Sequence, residues 1–247
     1  MGTWRVIGLT LVLCSVLAGA QVVQSQPAQG APASSTQGGA DRLQQVAPDA
    51  VDAKAVERIV WALRERYPAP LENPRTRVLV QQAVQGALAI GDKRVGFELE
   101  HGDTAPAERS LLQLTQSAGA AAAQAAMHRA VFLELRKPKA ALGAYRQASR
   151  LDPQAVAPFR RIGDLQRAAR KWLPAKRAYK RALSLASQDP RQQAELSVLL
   201  GELHAEKSTL AGEARRYFEQ ALALYEQLGD EAQMKRVRAL RDKLAPK

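Results

Sequence analysis

The sequence predicts an all-α protein in which pairs of helices stack into an α-α superhelix. The first observation is the composition, which is 46% hydrophobic but only 5% aromatic, so alanine, leucine and valine must fill the interior, as in closely packed helices. The second is that apolar residues from position 41 onward recur at helical spacing. The third is a residue pattern that returns at long, nearly regular intervals, which is typical of helical repeats.

Residues 1–20 have the features of a cleaved secretory signal peptide. Arg5 precedes an apolar run, and the small residues Ala18, Gly19 and Ala20 form a cleavage site of the A-x-A kind. An uncleaved anchor is the alternative, because the apolar stretch 6–23 is just long enough to cross a bilayer. Both interpretations place the rest of the chain outside the cytoplasm, in the periplasm or secreted.

The single cysteine, Cys14, lies inside this apolar run, and Leu13 before it argues against a lipoprotein site. The mature chain is therefore expected to hold no disulfide, thiolate nucleophile or thiolate metal site. Residues 21–40 contain no charged residue and are rich in glutamine, serine, proline and glycine, which predicts a disordered linker.

Residues 41–119 are predicted to form a helical N-terminal region. A first apolar stripe ends at Pro68, and Asn73 with Pro74 gives the cap and first residue of a second helix. Residues 92–105 are predicted to be an irregular insertion with a short extended piece at VGFELE. With that insertion, the region is compatible with a degenerate repeat.

The repeated pattern consists of small residues placed around one aromatic residue. Ala141, Tyr145 and Ala148 return thirty-four residues later as Ala175, Tyr179 and Ala182, and thirty-nine residues after that as Ala214, Phe218 and Ala221. Gly163 and Gly201 lie about a dozen residues before the second and third sets. Small residues allow two helices to pack closely, and the aromatic residues fill the space between pairs.

These residues resemble the tetratricopeptide repeat family. The resemblance covers residues 122–155, 156–189 and 190–228 as three repeats, and residues 230–247 as a C-terminal capping helix. In the first repeat, His128 and Arg129 stand where the family prefers leucine and glycine.

The resemblance implies a concave groove, lined by the first helix of each pair, that binds a peptide or a partner helix. The positions it assigns to this groove are Arg160, Arg161, Asp164 and Arg167 in the second repeat, Glu195, Val198, Glu202 and Glu206 in the third, and Ala123, Ala126, Ala130 and Leu133 in the first. Some members clamp a terminal carboxylate with lysine and asparagine, but the matching positions here are Ala126, Ala130, Arg160 and Asp164, so that clamp is not implied.

Charge is unevenly distributed over a chain whose formal net charge is +12. Residues 159–181 hold nine basic residues and one aspartate, whereas residues 191–231 hold four basic and eight acidic residues. Such a basic patch could bind an acidic partner or an anionic envelope polymer. A solvated outer helix face is the simpler interpretation of Lys176, Arg177, Lys180 and Arg181.

The sequence therefore predicts a non-catalytic protein-protein interaction module of a bacterial-type cell envelope, with a protein or peptide partner that carries acidic groups. One alternative is an enzyme or accessory protein with an acid/base site among Glu98, Glu100, His101 and Asp103. The other is binding of an anionic polymer or lipid headgroups by the basic patch. The sequence contains no catalytic or metal-ligand motif, so we expect no metal or cofactor. We expect no nucleic-acid partner, and membrane contact only at the periphery or through an uncleaved anchor.

Overall fold

The computed structural model describes residues 51–116 and 119–244, so the predicted signal peptide and linker lie outside the described residues. Within these ranges the chain forms helices and no strand, which confirms the all-α prediction. The helices are α1 (Ala53–Arg66), α2 (Pro68–Glu72), α3 (Pro74–Ala89), α4 (Lys93–Glu100), α5 (Ala105–Leu114), α6 (Ala120–Arg136), α7 (Pro138–Leu151), α8 (Val156–Ala168), α9 (Trp172–Leu185), α10 (Pro190–Ala205), α11 (Ala211–Gln227) and α12 (Glu231–Asp242). None of the described helices is long and apolar enough to span a membrane.

The C-terminal half is built from three tightly packed helix pairs, α6 with α7, α8 with α9, and α10 with α11. Helix α7 also packs against α8, and α9 against α10, so that consecutive pairs stack in a superhelical arrangement. Helix α12 packs against α11 and buries Val237 against it. Because one pair cannot cover its own apolar face, each pair depends on its neighbour for a complete core.

Two glycines set the distance between the helices of a pair. A Cβ atom at Gly163 would lie 2.4 Å from the ring of Tyr179, and one at Gly201 would lie 2.6 Å from the ring of Phe218. Both rings are fully buried in the second helix of their pair. The repeated glycine and aromatic residue are therefore in direct contact, and any larger side chain would push the helices apart.

The N-terminal region packs on the first pair by a similar contact. Helix α3 lies against α6, and a Cβ atom at Gly86 would meet the ring of His128 at 2.0 Å. His128 stands where later repeats have Ile162 and Leu200, so its ring occupies a core position of the first pair. The N-terminal region and the first pair consequently share one apolar core.

The prediction of an irregular insertion at residues 92–105 is wrong, because Lys93–Glu100 forms helix α4. The side chain of Asp92 accepts a hydrogen bond from the backbone N–H of Arg94, which caps the helix start. Val95 and Leu99, four positions apart, are both fully buried. A single cap and two apolar residues are a weak signal for a helix in the sequence. Packing against α1, α3 and α5 supplies the rest of the stabilisation of this short helix.

Candidate binding groove

A groove lies between α3 and the first helices of the three pairs, α6, α8 and α10. Its apolar end is a cavity of about 300 Å³ whose nonpolar lining comes from Val78, Leu79, Met127, Val156 and Ala157. Its charged end is a cavity of about 550 Å³ whose ionisable lining includes Glu134, Asp164, Arg167, Glu202 and Glu206. Arg75 and Arg161 line both cavities, so the two ends are continuous.

A ladder of ion pairs joins α8 to α10 along this groove. Arg160 contacts Glu195 at 2.8 Å, and Arg167 contacts Glu202 at 2.8 Å. The two arginines are seven residues apart, as are the two glutamates, so each set recurs after two helical turns on one face. All four side chains are between 20% and 28% exposed. The basic and acidic segments of the sequence therefore neutralise each other across neighbouring repeats.

Arg161 forms the buried centre of a second network. Its guanidinium contacts Glu134 on α6 and, at 2.9 Å, Asp164 on its own helix. The hydroxyl of Tyr145 donates to Glu134 at 2.7 Å, and that of Tyr179 donates to Asp164 at 2.7 Å. Five ionisable or polar side chains from four helices are thus connected in one chain.

The electrostatics of this network keep Arg161 charged and both phenols protonated. Burial alone would lower the pKa of Arg161, but Glu134 and Asp164 outweigh burial and raise it above the ordinary value for arginine. Burial and the adjacent Glu134 carboxylate raise the pKa of Tyr145, and burial and Asp164 raise that of Tyr179. Neither phenol is poised to lose its proton, so these tyrosines act as fixed donors.

The two ends of the groove differ in charge. At the apolar end Arg75 lies 4.0 Å from Glu195, which already pairs with Arg160, so two cations share one carboxylate. At the charged end Arg167 pairs with both Glu202 and Glu206, the second at 2.6 Å. Arg236 also approaches Glu202, at 3.5 Å, so two cations face two carboxylates there. An excess of positive charge therefore lies beside the apolar floor, whereas the charges at the other end are balanced.

Seven residues assigned to the groove from the sequence are brought together here, namely Arg160, Arg161, Asp164, Arg167, Glu195, Glu202 and Glu206. Arg161 is only 7% exposed and already has two carboxylate partners, so it is a structural member of the wall. The expectation that Ala123, Ala126, Ala130, Leu133 and Val198 form an open lining is wrong, because these side chains are buried. Helices α3 and α5 pack against α6, and Val198 belongs to the core between α10 and α11.

The opposite wall of the groove was missed in the sequence, because it comes from α3 rather than from a repeat. Arg75, Val78, Leu79 and Gln82 line it, and Val78 is 53% exposed. The inward stripe of α3 is a different one, formed by Val80, Val84 and Ala87. The available signal was therefore only the pair of apolar residues Val78 and Leu79, which lie outside the inward stripe of the same helix.

The cluster proposed as an acid/base site is divided among separate contacts. Glu100 contacts Arg58 at 3.0 Å, and Asp103 contacts Arg136 at 3.8 Å. The Nδ1 atom of His101 lies 2.8 Å from the carbonyl oxygen of Phe97. These exposed and half-exposed groups lie on and just after α4.

The rings of Trp172 and His204 form an aromatic contact between the second and third pairs. The indole Nε1 of Trp172 donates to the carbonyl of Leu203 at 3.1 Å, and its ring meets His204 edge-on at 5.4 Å. His204 is fully buried, and its Nδ1 donates to the carbonyl of Leu200 at 2.7 Å. Trp172 therefore has a packing role in the core between these pairs.

The comparisons with protein-family models and with curated proteins identify no relative of this chain. The helix pairs are compatible with a helical repeat. The closer likeness to tetratricopeptide repeats remains a resemblance carried by the residues quoted above.

Proposed function

We propose that this protein is a non-catalytic interaction module of the cell envelope, related to tetratricopeptide-repeat proteins, that holds a polypeptide segment of a partner in its groove. The observation that carries the proposal is the open apolar floor around Val78. A valine that is 53% exposed lies beside Leu79, Met127 and Val156 in a concave site, where a partner's apolar side chains would be removed from water.

The walls of the groove support the same conclusion. The ion pairs of Arg160 and Arg167 with α10 fix side chains that would otherwise need ordering when a partner binds. Arg75, which is 45% exposed and only weakly paired with Glu195, remains available to a partner's carboxylate. A segment with apolar side chains next to an acidic residue would match the apolar end in both polarity and charge. The envelope location rests on the predicted signal peptide.

Site-specific photocross-linking in the living host tests this proposal. A benzoylphenylalanine placed at Val78 should give one discrete cross-linked partner, whereas the same probe at Phe97, which is 59% exposed on α4, should not. The substitution Val78→Asp should abolish copurification of that partner, while Phe97→Asp should leave it unchanged. Identical cross-links from both positions, or copurification unaffected by Val78→Asp, would reject the groove as the binding site.

A further inference from the structure

A second surface, separate from the groove, lies on the second helices of the pairs. Helices α7 and α9 together contain seven basic residues and no acidic residue. With Arg216 of α11 they form what we call the cationic face, which consists of Lys139, Arg146, Arg150, Lys176, Arg177, Lys180, Arg181 and Arg216. Most of these side chains are exposed to solvent.

The repeat geometry places these charges on one side of the molecule. Arg146 and Lys180 are thirty-four residues apart and therefore occupy equivalent positions in consecutive pairs. Arg181 reaches back toward the preceding pair, where its guanidinium donates to the carbonyl of Pro153 at 3.4 Å. Lys180 reaches forward and lines a cavity together with Arg216 of the next pair. The cationic face thus covers the first two pairs and reaches Arg216 of the third, where Glu219 stands at the position equivalent to Lys180.

Within the described residues, carboxylates neutralise very little of this charge. Lys176 contacts Glu213 at 3.6 Å, and Glu213 also approaches the buried ring of His204 at 3.0 Å. The partner of Arg181 is a neutral carbonyl. The contrast with the groove is clear, since Arg160 and Arg167 are both paired with glutamates there.

A cavity of about 560 Å³ between α9 and α11 forms the centre of the face. It is lined by Lys176, Lys180, Glu213, Arg216, Tyr217 and Gln220, which gives it a net charge of +2. Three cations and two neutral polar side chains around one concavity match a compact anion such as a phosphate group.

An exposed apolar residue lies beside the charges. Leu173, at the start of α9, is 59% exposed, and it shares one helical stripe with Arg177 and Lys180. Tyr145 and Tyr179 are fully buried. The half-buried rings nearest the face, Trp172 and Tyr217, both pack against His204, so they offer little open surface on which a nucleic-acid base could stack. Rows of cations with one exposed leucine fit a lipid surface better than a nucleic acid.

We propose that the cationic face binds the anionic headgroups of a membrane, with one headgroup phosphate in the cavity between α9 and α11. The side chains of Arg146, Arg177 and Lys180 would contact neighbouring headgroups, and Leu173 would enter the interfacial layer. This interaction is independent of the groove and would hold the groove close to the membrane surface.

Vesicle flotation with purified protein tests the proposal. The probes are vesicles of phosphatidylcholine alone and of phosphatidylcholine with phosphatidylglycerol, at low and high salt. The test variant is Arg177→Glu with Lys180→Glu. The control is Arg64→Glu with Arg238→Glu, which has the same net charge and alters two exposed arginines outside the cationic face. We expect salt-sensitive binding to the anionic vesicles only, reduced at least ~10-fold in the test variant and retained in the control.

Each other outcome has a defined meaning. Equal loss in both variants would show a general charge effect and overturn the proposal, and so would equal binding to uncharged vesicles. Binding to a DNA duplex without binding to anionic vesicles would assign the face to a nucleic acid instead. If millimolar inorganic phosphate displaces the protein from vesicles at constant ionic strength, the cavity binds free phosphate as its primary ligand and the membrane assignment fails. The cross-linking result at Val78 is unaffected by any of these outcomes.

Discussion

Tyr145 and Tyr179, thirty-four positions apart in consecutive helix pairs, are joined through a single buried guanidinium. Each phenol donates a 2.7 Å hydrogen bond to a carboxylate, Glu134 for the first and Asp164 for the second. Arg161 binds both carboxylates. The core aromatic residue of one repeat is thereby linked to that of the next, so the network specifies how the two pairs are placed relative to each other.

Replacing Arg161 by methionine should strongly destabilise the protein. The change leaves Glu134 and Asp164 without their cation in a largely buried site, and loss of one partner of a buried ion pair typically costs about 3–5 kcal/mol. The free energy of unfolding from urea titration measures the effect. Arg94→Met, at an exposed position of α4, should change it by less than about 0.5 kcal/mol. Equal free energies of unfolding for the two variants would show that Glu134 and Asp164 do not require the Arg161 cation in the folded protein.

Alanine substitutions at two helical glycines should have opposite effects. At Gly163 the new methyl group would lie 2.4 Å from the Tyr179 ring, so we expect a loss of about 1–3 kcal/mol in unfolding free energy. At Gly143, on α7, no atom beyond the adjoining residues and the helix's own backbone lies within 4 Å of the new methyl group, so the higher helix propensity of alanine should add up to about 1 kcal/mol. Thermal unfolding of both variants gives the comparison, and stabilisation by Gly163→Ala would contradict the close packing.

The repeat in the sequence was informative because its signal is local and steric. Gly163 and Tyr179 are sixteen residues apart on two consecutive helices, and such a pair recurs in the next repeat. Asn73 could likewise be identified as a helix cap, and its side chain does accept from the backbone of Arg75. Predictions that rested on a clear cap, or on two adjacent helices of a pair, were therefore close to the structure, whereas the weak pattern of residues 92–105 led to a wrong prediction.

The parts that were missed depend on contacts between distant helices. The sequence shows the charges of residues 159–181 and 191–231 but not that Arg160 and Glu195 meet, because that contact requires two stacked pairs. It also gave no means to place α3 opposite the repeats, since the contact of Gly86 with His128 joins positions 42 residues apart. Val78 thus became a candidate only once the tertiary structure was available.

The ion pair between Arg160 and Glu195 should be more strongly coupled than a more exposed pair at similar distance. Its side chains are 22% and 28% exposed, whereas those of Arg58 and Glu100, 3.0 Å apart, are 60% and 39% exposed. Double-mutant cycles to alanine should give a coupling of ~1 kcal/mol for the first pair and ~0.3 kcal/mol for the second. Raising the salt concentration should reduce the second value more. Equal couplings would mean that solvent reaches the groove wall freely.

Stability should fall below pH 6.5 because of His128. Burial lowers the pKa of this histidine from 6.5 to about 4, and its Nδ1 has no hydrogen-bond partner among the described residues. Between these two values the unfolded chain binds a proton that the folded chain does not, so the free energy of unfolding decreases as the pH falls. The full effect, reached near pH 4, is about 3 kcal/mol.

Leucine stands at the matching position of the third repeat, so His128→Leu should keep the core and remove this contribution. Urea titrations at several pH values measure both proteins, and carboxylates titrate alike in each, so the difference between the curves isolates His128. Parallel curves from pH 7 to pH 4 would show that water reaches the ring and that α3 does not seal the first pair.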